Sequence, residues 1–278
     1  MPPFSPSDRV VVLGAGATRG AQARADGECL PPLNTDFFTQ LQRITHPKHR
    51  GTVRAVMKDV VNLFGPNFSV TMEEYFTQLE SIRTTVLRAG RTAPAFSPQQ
   101  IADKRERLMA ALAATLEAST DVSKRGAQAC GRLKLHGSLN WQFPTANSLT
   151  DPITLKQRLY QQRGTPRFTI IPPEWVKQID ADDNFLALWK NAERAIRNAR
   201  TVALIGFSFT PTDSHVEALF RVALAASRLK NLVIANPSID HRRRIRSIFS
   251  RPLAANSATV RQYEDLKDLA AHLPSALS

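Results

Sequence analysis

The second half of the chain alternates short runs typical of strands, most of them continuously apolar, with amphipathic helical patterns. The runs that predict strands there are Thr201 to Phe207, Leu232 to Ala235 and Ala258 to Tyr263. A continuous apolar run is typical of a strand that is buried on both faces of a parallel sheet. Because helical patterns separate these runs, the sequence predicts an α/β, Rossmann-like, mostly parallel sheet flanked by helices.

The remaining predicted strands and the predicted helices are unevenly distributed along the chain. Further runs that predict strands are Arg9 to Leu13, Leu133 to Leu135 and Arg167 to Ile171. The helical patterns cover Asp36 to Ile44, Thr52 to Phe64, Met72 to Leu87, Pro98 to Ala118, Asn184 to Ala199, Asp213 to Leu229, Ile239 to Phe249 and Glu264 to Leu273. Residues 45–131 carry almost no strand signal, so we expect one domain over 1–278 with a helical insertion at 45–131.

The charge of the chain is strongly positive. Its 37 Lys and Arg residues against 24 Asp and Glu give a net charge of +13, which creates a field that attracts polyanions. A local cluster, Asp240 to Arg246, falls on a helical pattern. It is interpreted either as a solvated helix face or as a contact to phosphate or nucleic acid.

Composition also narrows the class of protein. No segment approaches the roughly 18 uninterrupted apolar residues of a membrane span, so we expect no membrane partner. The N-terminal residues do not resemble a signal peptide, and the two cysteines, Cys29 and Cys130, lack the spacing of a zinc site. The expectation is a reduced, cytoplasmic protein without a metal, and a homo-oligomer is left open.

A glycine-rich turn follows the first predicted strand. It contains Gly14, Ala15, Gly16, Ala17 and Thr18. Small residues after a buried strand allow backbone N–H groups to approach a pyrophosphate. The spacing is not that of the dehydrogenase fingerprint, and a plain strand-to-helix turn is the alternative.

Polar and small residues also follow later predicted strands. Gly206 and Ser208 end one of them, and Asn236 ends the next. Open α/β sheets bind ligands at the carboxyl ends of their strands, so these residues are candidates for contact with a nucleotide. For Asn236 the alternative is a polar turn before Pro237.

His136 lies between the apolar run ending at Leu135 and the pair Gly137-Ser138. An imidazole titrates near neutral pH and can accept a proton from a ribose hydroxyl or from water. We therefore predict His136 as a general base. Upstream, Asn34, Thr35 and Asp36 precede a helix, and they are interpreted either as a helix cap or as a contact to the nucleotide.

Five segments together resemble the bacterial SIR2-like (sirtuin-like) domains. They are GAGAT at 14–18, PLNTDFF at 32–38, KLHGSLNW at 134–141, IGFSF at 205–209 and ANP at 235–237. The resemblance implies a Rossmann-like NAD site, with many bacterial members cleaving NAD in defence against phage. It also implies that Gly14 to Thr18 cradle the pyrophosphate and that Asp36 and Phe37 lie near the ribose and nicotinamide.

The same resemblance gives His136 the role of base and places Gly206, Ser208 and Asn236 on the adenosine side. The chain departs from the family in one respect, because no asparagine occurs between Arg91 and Leu135, where the family has a strand ending in one. Despite this departure, the resemblance implies an NAD+ hydrolase that releases nicotinamide and ADP-ribose. The alternative is a catalytically inactive module that binds a nucleotide or nucleic acid.

Overall fold

The structure is a computed structural model that describes residues 8–20, 29–90, 96–119 and 183–272. It also describes shorter pieces at 135, 137–138, 141–142, 154–155 and 169–170. The chain divides into two compact units. The sheet unit contains residues 8–20 and 183–272 with the shorter pieces, and the helical unit contains residues 29–90 and 96–119.

A parallel sheet is the centre of the sheet unit. The described strands are β1 (Arg9–Leu13), β2 (Gly137–Ser138), β3 (Trp141–Gln142), β4 (Thr154–Leu155), β5 (Thr169–Ile170), β6 (Thr201–Ile205), β7 (Asn231–Ala235) and β8 (Thr259–Tyr263). Strands β1, β6, β7 and β8 form a sheet in that order, and each described pair in it is parallel. The predicted Rossmann-like α/β fold is confirmed.

Helices account for most of the remaining described chain. They are α1 (Ala15–Gly20), α2 (Phe37–Gln42), α3 (Pro47–Phe64), α4 (Met72–Ala89), α5 (Pro98–Ser119), α6 (Asp183–Asn198), α7 (Ser214–Leu224), α8 (Ile239–Ile248), α9 (Ser250–Ala255) and α10 (Leu266–Ala271). The short helices α1 and α9 were not predicted. Helix α1 lies on the glycine-rich turn and α9 contains Pro252, and glycine and proline are more typical of turns than of helices.

Helices cover both faces of the sheet. Successive side chains of a central strand point to opposite faces, and both sets are buried. Val202 and Leu204 of β6 pack in one core with side chains of α6, α7 and α8. Ala203 and Ile205 of the same strand pack on the opposite face with Ala17 of α1 and residues of α10. Burial on both faces explains why β6 is a continuous apolar run.

Two other runs that predict strands are described only in part. Of the run Arg167 to Ile171 the structure describes Thr169–Ile170, which pairs antiparallel with Gly137–Ser138. Two prolines follow the run directly, and proline cannot donate to a strand ladder. Of the run Leu133 to Leu135 only Leu135 is described, and it lies in a turn.

The helical unit packs α2, α3, α4 and α5 around its own apolar core. Helix α4 begins with a capping box between Thr71 and Glu74 and ends at Gly90, whose φ is 61°. Helix α2 precedes residue 45 but contributes Phe37 and Leu41 to this core. Among the described residues, no helix combines the length and apolar character that crossing a membrane requires.

Candidate functional site

The carboxyl edge of the parallel sheet gathers most of the predicted binding residues. Parallel strands end at the same edge, and the register aligns Leu13 with Ile205 and Ile205 with Ala235. Each of these three residues is the last of its strand. The predicted residues that follow them are Gly14 to Thr18 after β1, Gly206 and Ser208 after β6, and Asn236 after β7. The structure therefore brings these segments to the region where open α/β sheets bind ligands.

The turns after β1 and β6 cross each other at van der Waals contact. A Cβ atom on Gly14 would lie 2.2 Å from the carbonyl oxygen of Gly206, and one on Gly206 would lie 2.1 Å from the amide nitrogen of Ala17. Gly206 also has a φ of +58°, in the left-handed region that favours glycine. Close packing of two backbone turns is thus one reason for glycine at these positions.

The same crossing uses several backbone amides of the glycine-rich turn. The Gly14 amide donates to the Ile205 carbonyl at 2.9 Å, and the Gly16 amide donates to the Gly206 carbonyl at 3.2 Å. The Ala17 amide donates to the Gly14 carbonyl at 3.0 Å. Ala15 is exposed, and Thr18 lies within α1. Because three amides already have protein acceptors, the cradling of a pyrophosphate by Gly14 to Thr18 stays a prediction.

The loop after β6 holds Ser208 between two aromatic residues. Phe209 has a φ of 50°, and this conformation costs a non-glycine residue about 1 kcal/mol. The buried Phe209 ring lies 4.8 Å from the Phe207 ring and 5.1 Å from the Phe220 ring, so core packing stabilises the loop. Ser208 is half-buried, and its hydroxyl makes no hydrogen bond within the described part of the chain.

Asn236 connects the ends of β6 and β7. Its Nδ2 donates to the Phe207 carbonyl at 3.0 Å, and its Oδ1 accepts from the Ser238 amide at 2.9 Å. The residue is 4% exposed. These contacts give Asn236 a structural role in the turn before Pro237, and its contact with a nucleotide stays a prediction.

Arg242 of α8 is a residue at this edge that the sequence analysis grouped only with a charged cluster. Its Nη1 donates to the Asn236 carbonyl at 2.9 Å and to the Tyr263 carbonyl at 3.5 Å. The neighbouring Arg243 and Arg244 instead pair with the carboxylates of Asp240 and Glu217. The cluster is therefore internally paired in part, and nucleic-acid binding through it stays a prediction.

Glu217 is a titratable residue of α7 that forms an ion pair with Arg244 of α8. Its carboxylate lies 2.8 Å from a guanidinium nitrogen of Arg221 and 2.8 Å from one of Arg244. Burial acts to raise the pKa of Glu217, but the hydrogen bonds and charges of the two arginines outweigh it and hold the pKa below 4.5.

We expect the stability from Glu217 to be present above pH 4.5 and to be lost as the pH falls through the lower folded-state pKa. Glu217→Gln should lower the free energy of unfolding at neutral pH by about 1 kcal/mol or less. It should also flatten the decrease in Tm on acidification, which thermal melts from pH 6 to pH 3 would measure. Glu106→Gln, at an exposed position of α5, should leave that decrease unchanged. If Glu217→Gln showed the same decrease in Tm on acidification as the unaltered chain, the lowered pKa of Glu217 would be contradicted.

Asp36 and Phe37 lie in the helical unit and have local roles there. The Asp36 carboxylate accepts from the Leu33 amide at 2.8 Å and from Nε2 of Gln40 at 3.1 Å. The Phe37 side chain is 0% exposed and belongs to the apolar core of this unit. The predicted proximity of Asp36 and Phe37 to ribose and nicotinamide stays a prediction.

The predicted base, His136, lies outside the described residues. Its neighbour Leu135 is described and packs against the core that faces α6. The Leu135 carbonyl accepts a hydrogen bond from Nε1 of Trp189 at 3.0 Å. The assignment of His136 as general base stays a prediction.

The helical unit contains a separate pocket of about 280 Å³ between α3 and α5. The Asp59 carboxylate at its wall lies 2.8 Å from Lys104 Nζ and 2.7 Å from an Arg107 guanidinium nitrogen. Burial raises the pKa of the nearby Tyr75 hydroxyl, and the charge of Asp59 raises it further. Because the Asp59 carboxylate already pairs with both Lys104 and Arg107, these charged groups are less available to a ligand. The sheet edge is therefore the stronger candidate site.

Comparison with protein-family models, curated proteins and solved structures finds no match. The fold class therefore follows from the sheet itself. In the described part of the chain, no group of three or more His, Cys, Asp or Glu side chains is placed to hold a metal ion.

Proposed function

We propose that this chain is a SIR2-like protein that binds NAD+ and hydrolyses it to nicotinamide and ADP-ribose in defence against phage. The observation that supports the proposal is the convergence of Gly14 to Thr18, Gly206, Ser208 and Asn236 at the carboxyl edge of a parallel sheet. This edge is where dinucleotides bind in Rossmann-like folds. Ser208, a half-buried residue of the loop after β6, adds a hydroxyl group suited to ribose oxygens.

The proposed chemistry assigns the proton transfer to His136. The bond between ribose C1′ and the nicotinamide nitrogen breaks, and a water oxygen forms a new bond to C1′. The neutral His136 imidazole accepts the proton that this water releases, which is the usual task of a histidine general base. The role of His136 rests on the SIR2-like resemblance and on its sequence position after an apolar run.

The test measures NAD+-dependent thermal stabilisation and nicotinamide release by the purified chain. We expect the Tm to rise with NAD+ concentration, because a ligand at 100 times its Kd stabilises the folded state by about 2.7 kcal/mol. His136→Ala should lower nicotinamide release at least about 100-fold while keeping the stabilisation. His241→Ala, at an exposed position of α8, should change neither measurement. Nicotinamide release that persists in His136→Ala would contradict its role.

A catalytically inactive binding module of the same fold is the second candidate. Two hydrogen bonds between Asn34 and Glu73 favour it. They engage the Asn34 side chain, which would otherwise be a candidate to replace the missing family asparagine. Its Nδ2 donates to the Glu73 carboxylate at 2.9 Å, and its Oδ1 accepts from the Glu73 amide at 3.0 Å. Stabilisation by NAD+ without nicotinamide release would favour this candidate over the hydrolase.

A further inference from the structure

Arg242 is anchored across the ends of two neighbouring strands. Asn236 is the first residue after β7, Tyr263 is the last residue of β8, and Nη1 of Arg242 donates to both carbonyls. The residue is half-buried. These contacts hold a positive group at the carboxyl edge of the sheet, beside the strand end that the SIR2-like resemblance assigns to adenosine.

The charge of Arg242 is not neutralised by a carboxylate within the described residues. Its two acceptors in the described part of the chain are backbone carbonyls, whereas Arg243 pairs with Asp240 and Arg244 pairs with Glu217. Nε and Nη2 of Arg242 have no acceptor in the described part of the chain. A guanidinium held through one nitrogen thus keeps its charge and a pair of donor nitrogens for a ligand.

A phosphate is the ligand group that this arrangement suits best. A planar guanidinium binds phosphate oxygens through paired, charge-assisted hydrogen bonds. In dinucleotide-binding folds, a carboxylate near a strand end binds the ribose 2′-hydroxyl of NAD, whereas an arginine accommodates the 2′-phosphate of NADP. Here β7 is followed by Asn236, Pro237 and Ser238, none of which has a carboxylate.

We infer that Arg242 binds a phosphate on the adenosine ribose, so that the site prefers the 2′-phosphorylated dinucleotide NADP+ to NAD+. This inference rests on the proposed dinucleotide site and specifies its substrate class. The glycosidic bond to nicotinamide is the same in both dinucleotides, so the proposed hydrolysis is unchanged.

The test measures the Kd of the full chain for NADP+ and for NAD+ by isothermal titration calorimetry. We expect NADP+ to bind about 10- to 100-fold more tightly, as charge-assisted hydrogen bonds typically provide. Arg242→Gln should remove this difference and leave the Kd for NAD+ within about threefold. Arg246→Gln is the matched control on the same helix, and its exposed position predicts no change in either Kd.

A purely structural role of Arg242 would give a different result. Loss of the bonds to Asn236 and Tyr263 alone would weaken the binding of both dinucleotides equally and leave the ratio of the two Kd values unchanged. That result, or equal binding of the two by the unaltered chain, would overturn the inference and leave the proposed function standing. Arg242→Lys keeps the charge without the planar fork, and an intermediate ratio in this variant supports the inference. Binding of neither dinucleotide would overturn the proposed function as well.

Discussion

Gly206→Ala is expected to lower the free energy of unfolding of the sheet unit by more than about 3 kcal/mol, or to prevent its folding. The new Cβ would lie 2.1 Å from the Ala17 amide nitrogen and 2.4 Å from the Gly16 carbonyl carbon. Both are backbone atoms, so no side-chain rotation relieves the overlap. Urea unfolding followed by circular dichroism would measure the change.

Gly90→Ala is the matched control for this substitution. Gly90 has a φ of +61°, close to that of Gly206, but no atom of the described residues lies within 4 Å of the position its Cβ would take. Its replacement should therefore cost only about 1 kcal/mol, the cost of a left-handed conformation. The difference between the two variants isolates the crossing of the turns after β1 and β6. Equal losses in the two variants would contradict the close crossing.

Phe37→Ala is expected to lower the free energy of unfolding of the helical unit by about 3–5 kcal/mol. The Phe37 side chain is fully buried and packs edge-to-face on Phe38, with ring centroids 5.2 Å apart. Its removal would leave a cavity among α2, α3, α4 and α5 that their rigid packing cannot fill. Chemical denaturation of the full chain, with and without NAD+, would measure both stability and binding.

Leu87→Ala provides the comparison at an exposed apolar position. Leu87 is 54% exposed on α4, so its truncation should change stability by less than about 0.5 kcal/mol. If Phe37→Ala were equally mild and weakened only the binding of NAD+, its ring would contact the ligand rather than the core. A large loss of stability would instead leave Phe37 in the structural role that its burial indicates.

The glycine-rich turn illustrates how one pattern can have two physical causes. Small residues after β1 are compatible with a pyrophosphate near the backbone. They are also required where Gly14 and Gly16 pass over Gly206. The two causes are separable by experiment, because the packing role predicts a loss of stability without any ligand. A binding role predicts a loss that appears in the Kd.

Local sequence was sufficient for the central architecture. The strands β1, β6, β7 and β8 lie within or close to the predicted runs. For the central strands β6 and β7, burial on both faces requires a nearly uninterrupted run of apolar residues. The long helices α3, α4, α5 and α6 were likewise predicted, since each spans several turns and repeats its apolar positions. The location of Gly14, Gly206 and Asn236 at one edge of the sheet could be predicted from the parallel arrangement of the strands alone.

Only the tertiary structure decided how individual side chains are used. Arg242 belongs to a run of arginines in the sequence, yet it alone among Arg242, Arg243 and Arg244 reaches two strand-end carbonyls. Phe37 and Asp36 formed part of a motif, but packing buries the first and hydrogen bonds engage the second. The periodicity of apolar residues in the sequence indicates which side chains are buried. The partner of a polar group depends on which chain segments fold against it, and residues distant in sequence decide that.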